Sequence, residues 1–328
     1  MEQTAYEFEL ERVKALIKEL DARRVGLQLP EGLKTVALAL ADEISTETGA
    51  EVIVSGNSCY GACDIDEKLE RLVDVLFHFG HADTFLFQDH EKVVFIELRS
   101  TVDVKPVVEQ AVAELTGECV GLVATVQHVH ALEEAKQVLT RASKRAMIGK
   151  NLHIGTVPGM VLGCDFSAAR VPCDEILFVG SGGFHPTGIA LYTGKRVVAA
   201  DPFTQHISVF EPDQLRKKRY LAVGRALDAK SVGILVSTKS GQLKLNEAIT
   251  LKRKAEEKGL VAYLIALDEI TEARLLGYNV DVFVNTACPR LVEDFVPFKQ
   301  PVLAINEFEV VLGERTWDEL WPESGDQK

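Results

Sequence analysis

Three cysteines set the terms for chemistry in this chain of 328 residues: Cys59, Cys164 and Cys288, separated by 105 and 124 positions. Cys59 stands in VSGNSCYGACDID, Cys164 in GMVLGCDF and Cys288 in VNTACPR. Each follows an apolar run and opens a loop. In open α/β sheets, the loops beyond the carboxyl ends of parallel strands are where ligands and chemistry collect. The spacings are far too wide for a local metal finger, so the three cysteines read as one distributed site.

Local alternatives fail on particular residues. Cys59-Tyr60-Gly61-Ala62-Cys63-Asp64-Ile65-Asp66 nearly spells C-x3-C-x2-C, the loop by which common radical S-adenosylmethionine enzymes hold a 4Fe-4S cluster, but Asp66 replaces the third cysteine. A carboxylate is a poor match for a soft iron-sulfur iron, so any cluster must recruit thiolates from elsewhere. Cys59, Cys63, His78 and His81 give C-x3-C-x14-H-x2-H, close to zinc spacings. However, H-x2-H is short of the usual interval, and His78 falls in a strand alternation that should aim it away from its neighbour's face, so structural zinc is set aside. The loop 179–184 follows a strand and is glycine-rich, but it lacks the last glycine of a dinucleotide fingerprint and no clear helix period follows. Close backbone approach to a ligand fits it better than nicotinamide chemistry. Cys-His nucleophilic catalysis stays open, since His78, His81, His128, His130, His185 and His206 lie in predicted loops or strand ends.

The elements that must position these residues recur three times. A helix from about Tyr6 to Leu20 precedes strand Val25–Leu29, a helix with Leu33, Val36, Leu40 and Ile44 on one face, strand Glu51–Val54 and the Cys59 loop. A short helix near Leu69–Leu72 and strands Asp74–Phe79 and Lys92–Leu98 complete this unit. The order returns with strand Val120–Val126, helix Leu132–Ser143, strand Leu152–Thr156 leading to Cys164, and strands Glu175–Val179 and Arg196–Ala200. A third round has strand Val232–Ser237, helix Leu243–Lys258, strand Val261–Ala266, helix Glu269–Leu276, strand Asp281–Val284 leading to Cys288, and strand Val302–Ala304. The expected fold class is α/β, with three similar parallel-sheet βαβ-type domains around a central metal site: 1–105, 106–210 and 211–328. Val73-Asp74-Val75-Leu76-Phe77 resembles Val280-Asp281-Val282-Phe283-Val284, which lays His81 over Cys288. The cysteines were therefore not simply copied with the repeat.

Composition narrows the function classes. A hydrophobic content of 47% with 26% charged residues fits a globular protein with a sizeable core. The net charge of −13 disfavours nucleic acid, whose sequence-independent affinity rests on Lys and Arg neutralising phosphates. Arg216-Lys217-Lys218-Arg219 is the one compact basic run, a solvated helix face or a docking patch for an acidic group. The acidic, amphipathic N-terminus is unlike a secretory signal, and no run reaches the ~18 apolar residues of a membrane span. A cytoplasmic protein is expected, and its six cysteines are then free thiols or metal ligands rather than a disulfide frame. The missing signal also weakens a cluster-free reading as a periplasmic-binding-type module.

With a cysteine in each repeat, the chain closely resembles the archaeal diphthamide-synthesis enzymes, which perform the first modification step on translation elongation factor 2. The likeness spans nearly the full length. It rests on Leu29-Pro30-Glu31-Gly32, Tyr60-Gly61-Ala62-Cys63-Asp64, Phe77-His78-Phe79-Gly80-His81, Gly163-Cys164-Asp165, Gly182-Gly183-Phe184-His185 and Cys288-Pro289-Arg290. The resemblance implies a homodimer in which Cys59, Cys164 and Cys288 bind three irons of a 4Fe-4S cluster and leave the fourth open for S-adenosylmethionine. It further implies reductive cleavage of the Cγ–S bond, transfer of the 3-amino-3-carboxypropyl group to a histidine of elongation factor 2, release of methylthioadenosine, and an electron donor. Cys63, Cys119 and Cys173 are not expected as ligands. Substrate contacts are expected from Gln28, Glu31, Gly32, Ser237, Thr238, Gly241, Gln242 and Arg290, which line the same ends of the sheets. Arg290 either pairs with the methionyl carboxylate or forms a structural ion pair. The competing reading is a non-catalytic iron-sulfur electron-transfer or sensor protein, for which four protein ligands would be the ordinary arrangement.

Overall fold

The computed structural model describes residues 5–83, 90–151, 157–294 and 299–321. The first unit runs α1 (Leu10–Glu19), β1 (Arg24–Gln28), α2 (Ala37–Thr48), β2 (Glu51–Val54), α3 (Glu67–Glu70), β3 (Val75–Phe79) and β4 (Val93–Ile96). Its parallel sheet has the order β2-β1-β3-β4. The whole of β3 is buried, as a central parallel strand covered on both faces must be.

The second unit adds α4 (Lys105–Ala111), β5 (Cys119–Ala124), α5 (Leu132–Arg141), β6 (Arg145–Met147), β7 (Glu175–Val179), α6 (Phe184–Thr193), β8 (Val197–Asp201) and β9 (His206–Phe210). Its order is β6-β5-β7-β8-β9, with only β9 antiparallel. The third comprises α7 (Pro212–Ala226), β10 (Ser231–Ser237), α8 (Leu245–Glu257), β11 (Val261–Leu267), α9 (Glu272–Leu275), β12 (Val282–Asn285), α10 (Arg290–Asp294), β13 (Val302–Ala304), α11 (Ile305–Val311) and α12 (Trp317–Leu320), with the order β11-β10-β12-β13. The expected α/β class with three mostly parallel sheets is therefore found.

The repeat extends to single residues. Asp74, Asp174 and Asp281 each stand before the third-position strand and accept two backbone N–H groups at the start of its neighbour. The distances are 3.0 and 2.8 Å from Arg23 and Arg24, 2.9 and 2.8 Å from Glu118 and Cys119, and 2.9 and 2.8 Å from Lys230 and Ser231. Those bonds hold all three carboxyls below their ordinary range. Gly26, Gly121 and Gly233 occupy matching places within β1, β5 and β10, and a Cβ there would come within 2.7, 3.0 and 2.9 Å of packed side chains. Each sheet is thus closely covered at the same point.

Some expectations require correction. α6 does follow the glycine-rich loop 179–184. Its sequence FHPTGIALYT is apolar on most faces, so no amphipathic period announces it. Arg219 of the basic run is buried rather than solvated, because its guanidinium pairs with Glu307 at 2.5 and 2.7 Å. α4 and the antiparallel β9 had no counterpart in the sequence reading, and β6 occupies the second sheet's edge. Strand Leu152–Thr156 lies outside the described residues. No helix among the described residues is long and apolar enough to cross a membrane.

Candidate functional site

The loop from Ser55 to Asp66 is tied at both ends. Asp66 accepts from Ser55 Oγ at 2.6 Å, Asn57 Nδ2 at 2.8 Å and the Leu69 N–H at 3.1 Å, so it closes the loop and caps α3. Burial opposes its ionisation, but these donors outweigh burial and hold the carboxyl below its usual range. The acid that interrupts C-x3-C-x2-C is therefore a clamp. Gln28, at the end of β1, is buried; its Nε2 donates to the Asp64 carbonyl at 2.6 Å, and its Oε1 accepts from the Asp66 N–H at 3.1 Å.

A loop of the third unit docks on this one. Lys239 pairs with Asp64 at 2.6 Å and reaches Ser58 Oγ at 3.4 Å, while Gln242 Nε2 donates to Cys63 Sγ at 3.4 Å. Cys164 sits in the turn closed by the Leu162–Asp165 bridge, just past Met160, which pairs beside Ala124 at the end of β5. Cys288 follows β12, its carbonyl held by Asn285 Nδ2 at 2.8 Å.

The electrostatics show which thiols share a neighbourhood. Burial, opposed by an N–H bond from Arg290 and reinforced by Cys63 and Cys164, pushes the Cys288 thiol up to about 11. Cys164 is solvent-accessible but ringed by protein; that desolvation, with Cys63 and Asp165 beside it, pushes it up to about 11 as well. Cys63 is thus a neighbour of both Cys164 and Cys288. The charged neighbours of Cys59 are Asp64, Lys239, Lys34 and Cys63, and its own thiol is pushed up chiefly by burial.

Cys59 turns instead into the first unit, where Sγ lies 3.9 Å from His78 Nε2 and 4.0 Å from His81 Nδ1. His78 was expected to point away; Gly80 at φ +83° swings the chain back after β3 and brings His81 Nδ1 to 2.9 Å from His78 Nε2. Burial lowers His81 to about 4 and takes His78 well below its ordinary value, so both imidazoles are neutral. A catalytic thiolate-imidazolium pair needs a lowered thiol pKa, and here the thiol is raised.

Of the expected substrate contacts, Arg290 and Gln242 stand beside the thiols. The Arg290 guanidinium lies 5.2 Å from the Tyr60 ring centre and 5.9 Å from that of Phe184, so residues of all three units meet there. Thr238, Glu31 and Gly32 are exposed, Gly241 is half-buried, and the buried Ser237 Oγ accepts from the Lys239 N–H at 3.2 Å. Glu31 accepts from the Cys59 N–H at 3.3 Å. A cavity of about 820 Å³ opens between the second and third units, lined in part by Gly163, Phe184, Lys244, Asn285 and Pro289.

Residues 29–322 match the family model for diphthamide synthesis proteins. The chain belongs to the diphthamide synthesis family. It is 36% identical over 304 residues to the 2-(3-amino-3-carboxypropyl)histidine synthase of Pyrococcus horikoshii, covering 91% of this chain and 88% of that protein. The human protein named subunit 1 of that synthase is 30% identical over 97% of this chain and 74% of its own length. Among solved structures, Dph2 from Pyrococcus horikoshii with a 4Fe-4S cluster superimposes with a TM-score of 0.85 at 34% identity, covering 98% of this chain and 96% of that one.

Membership in the family sharpens one omission of the sequence reading. The phrase that carried the resemblance in this loop, Tyr60 to Asp64, contains Cys63 and not Cys59. That was the available signal for the thiol that neighbours Cys164 and Cys288.

Proposed function

We propose that the protein catalyses the first step of diphthamide synthesis, transferring the 3-amino-3-carboxypropyl group of S-adenosylmethionine to a histidine of translation elongation factor 2. The reaction takes place at a 4Fe-4S cluster held by Cys63, Cys164 and Cys288. The observation that carries this reading is the meeting of loops from all three units, where Gln242 of the third reaches Cys63 of the first and Arg290, two residues past Cys288, lies against Tyr60 and Phe184. Their chemistry fits the cluster. Thiolates are the donors iron-sulfur irons prefer, and metal ligation removes the cost of placing bare thiolates side by side. A cluster held by these three thiolates would supply, once reduced, the electron needed for Cγ–S cleavage with release of methylthioadenosine.

The chain's own residues support and orient. Gln242 Nε2–H and the Arg290 N–H donate to the Cys63 and Cys288 sulfurs and stabilise their thiolate forms. The Arg290 guanidinium, against Tyr60 and Phe184, suits bidentate capture of the methionyl carboxylate, and the neighbouring cavity suits the nucleoside. Glu31, Gly32, Thr238 and Gly241 rim the same region, whereas Gln28 and Ser237 act from beneath it. Three domains with boundaries at 105/106 and 210/211 each contribute one thiol. The protein works in the cytoplasm as a homodimer fed by an electron donor.

The recipient is tested with S-adenosylmethionine labelled in its aminocarboxypropyl carbons. With reductant, label is expected on archaeal elongation factor 2 and not on tRNA. Label on tRNA and none on the factor would remove the proposed substrate class.

A further inference from the structure

The geometry points to a second metal site in the first unit: a zinc ion bound by Cys59, His78 and His81, apart from the three-thiol site. Cys59 and His78 are fully buried and His81 is half-buried. Their ligand atoms form a triangle with sides of 2.9, 3.9 and 4.0 Å. An ion equidistant from its corners would lie about 2.1 Å from each, against usual lengths of about 2.0–2.1 Å to nitrogen and 2.3 Å to sulfur. No large movement is needed.

The surrounding hydrogen bonds prepare the site. Gln28 Nε2 donates to the Asp64 carbonyl and Gln28 Oε1 accepts from the Asp66 N–H, which fixes the amide's orientation. His78 Nδ1, 3.0 Å from that same Oε1, must therefore carry the proton and donate it. The lone pair of neutral His78 is thereby placed on Nε2, aimed at His81 and Cys59. A ring N–H held by a second partner is the usual support of a metal-ligating histidine.

Without an ion, the His81 Nδ1–H fills the 2.9 Å contact and the buried Cys59 thiol keeps only its long approaches to nitrogen. With an ion, Cys59 gives up its proton to solvent, and the His81 proton moves from Nδ1 to Nε2. One thiolate and two neutral imidazoles make the mixed sulfur and nitrogen set that suits zinc, with the fourth position left to water. The ion would pin the loop to the end of β3, four residues ahead of Cys63.

The test uses wild-type protein purified anaerobically with its iron and dialysed against micromolar zinc. Elemental analysis should give close to one zinc per chain, and zinc-edge X-ray absorption should show one sulfur at about 2.3 Å with nitrogen or oxygen at about 2.0–2.1 Å. Cys59→Ser and His81→Gln should each lower zinc affinity by about tenfold or more with iron and sulfide unchanged, and Cys164→Ser should lose iron but keep zinc. Three results would overturn the site: no zinc above background in the wild type, a zinc shell without sulfur, or loss of iron instead of zinc from Cys59→Ser. The spectrum of the wild type needs no variant, so a misfolded mutant cannot hide the answer.

Discussion

At the scale of the residue, the two cysteines of one loop have opposite surroundings. Cys59 is buried against two neutral imidazoles, whereas Cys63 accepts from Gln242 and lies close enough to Cys164 and Cys288 to oppose their ionisation. Replacing Cys63, Cys164 or Cys288 with Ala should abolish iron and sulfide retention after anaerobic reconstitution, while Cys59→Ala should retain both. The reverse pattern for Cys59 and Cys63 would restore the ligand set expected from the sequence. That choice was hard to read because a side chain's direction in an irregular loop has no period. It is set here by the long-range bonds of Gln28 to residues 64 and 66 and of Gln242 to Cys63, with the Asp66 clamp across the loop.

At the scale of the element, burial decides what a pattern conceals. The parallel strands were legible because their runs are continuously apolar, and the likeness of 73–77 to 280–284 contains the Asp before the third-position strand of the first and third units, though not Asp174 of the second. α6 was not, since a helix apolar on most faces shows no stripe. The basic run on α7 misled for another reason: the charge of Arg219 is matched by Glu307, 88 positions away, and local sequence cannot show that. Arg219 also donates to the carbonyls of Val292 and Val302, both at 3.1 Å, so it binds α7 to α10 and β13. Arg219→Ala leaves a buried carboxylate unpaired and should cost about 3–5 kcal/mol in denaturant unfolding. Lys217→Ala, on an exposed part of the same helix, should stay within about 0.5 kcal/mol. Equal effects would show that the pair is not holding the third unit.

At the scale of the whole molecule, three copies of one sheet order bring loops from distant stretches to a common place. The sequence implied a distributed site from the cysteines' strand-end settings, and the contacts of Lys239 with Asp64 and of Arg290 with Tyr60 and Phe184 are how the units close around it. The most direct measurement is anaerobic turnover by the reconstituted, dithionite-reduced protein with S-adenosylmethionine and no protein partner, with the products separated by chromatography. Methylthioadenosine and a quenched four-carbon amino acid fragment are predicted, because a carboxylate held by Arg290 beside three thiolates from separate loops would present the methionyl Cγ for cleavage. Predominant 5′-deoxyadenosine, or no cleavage by a fully reduced cluster, would contradict it.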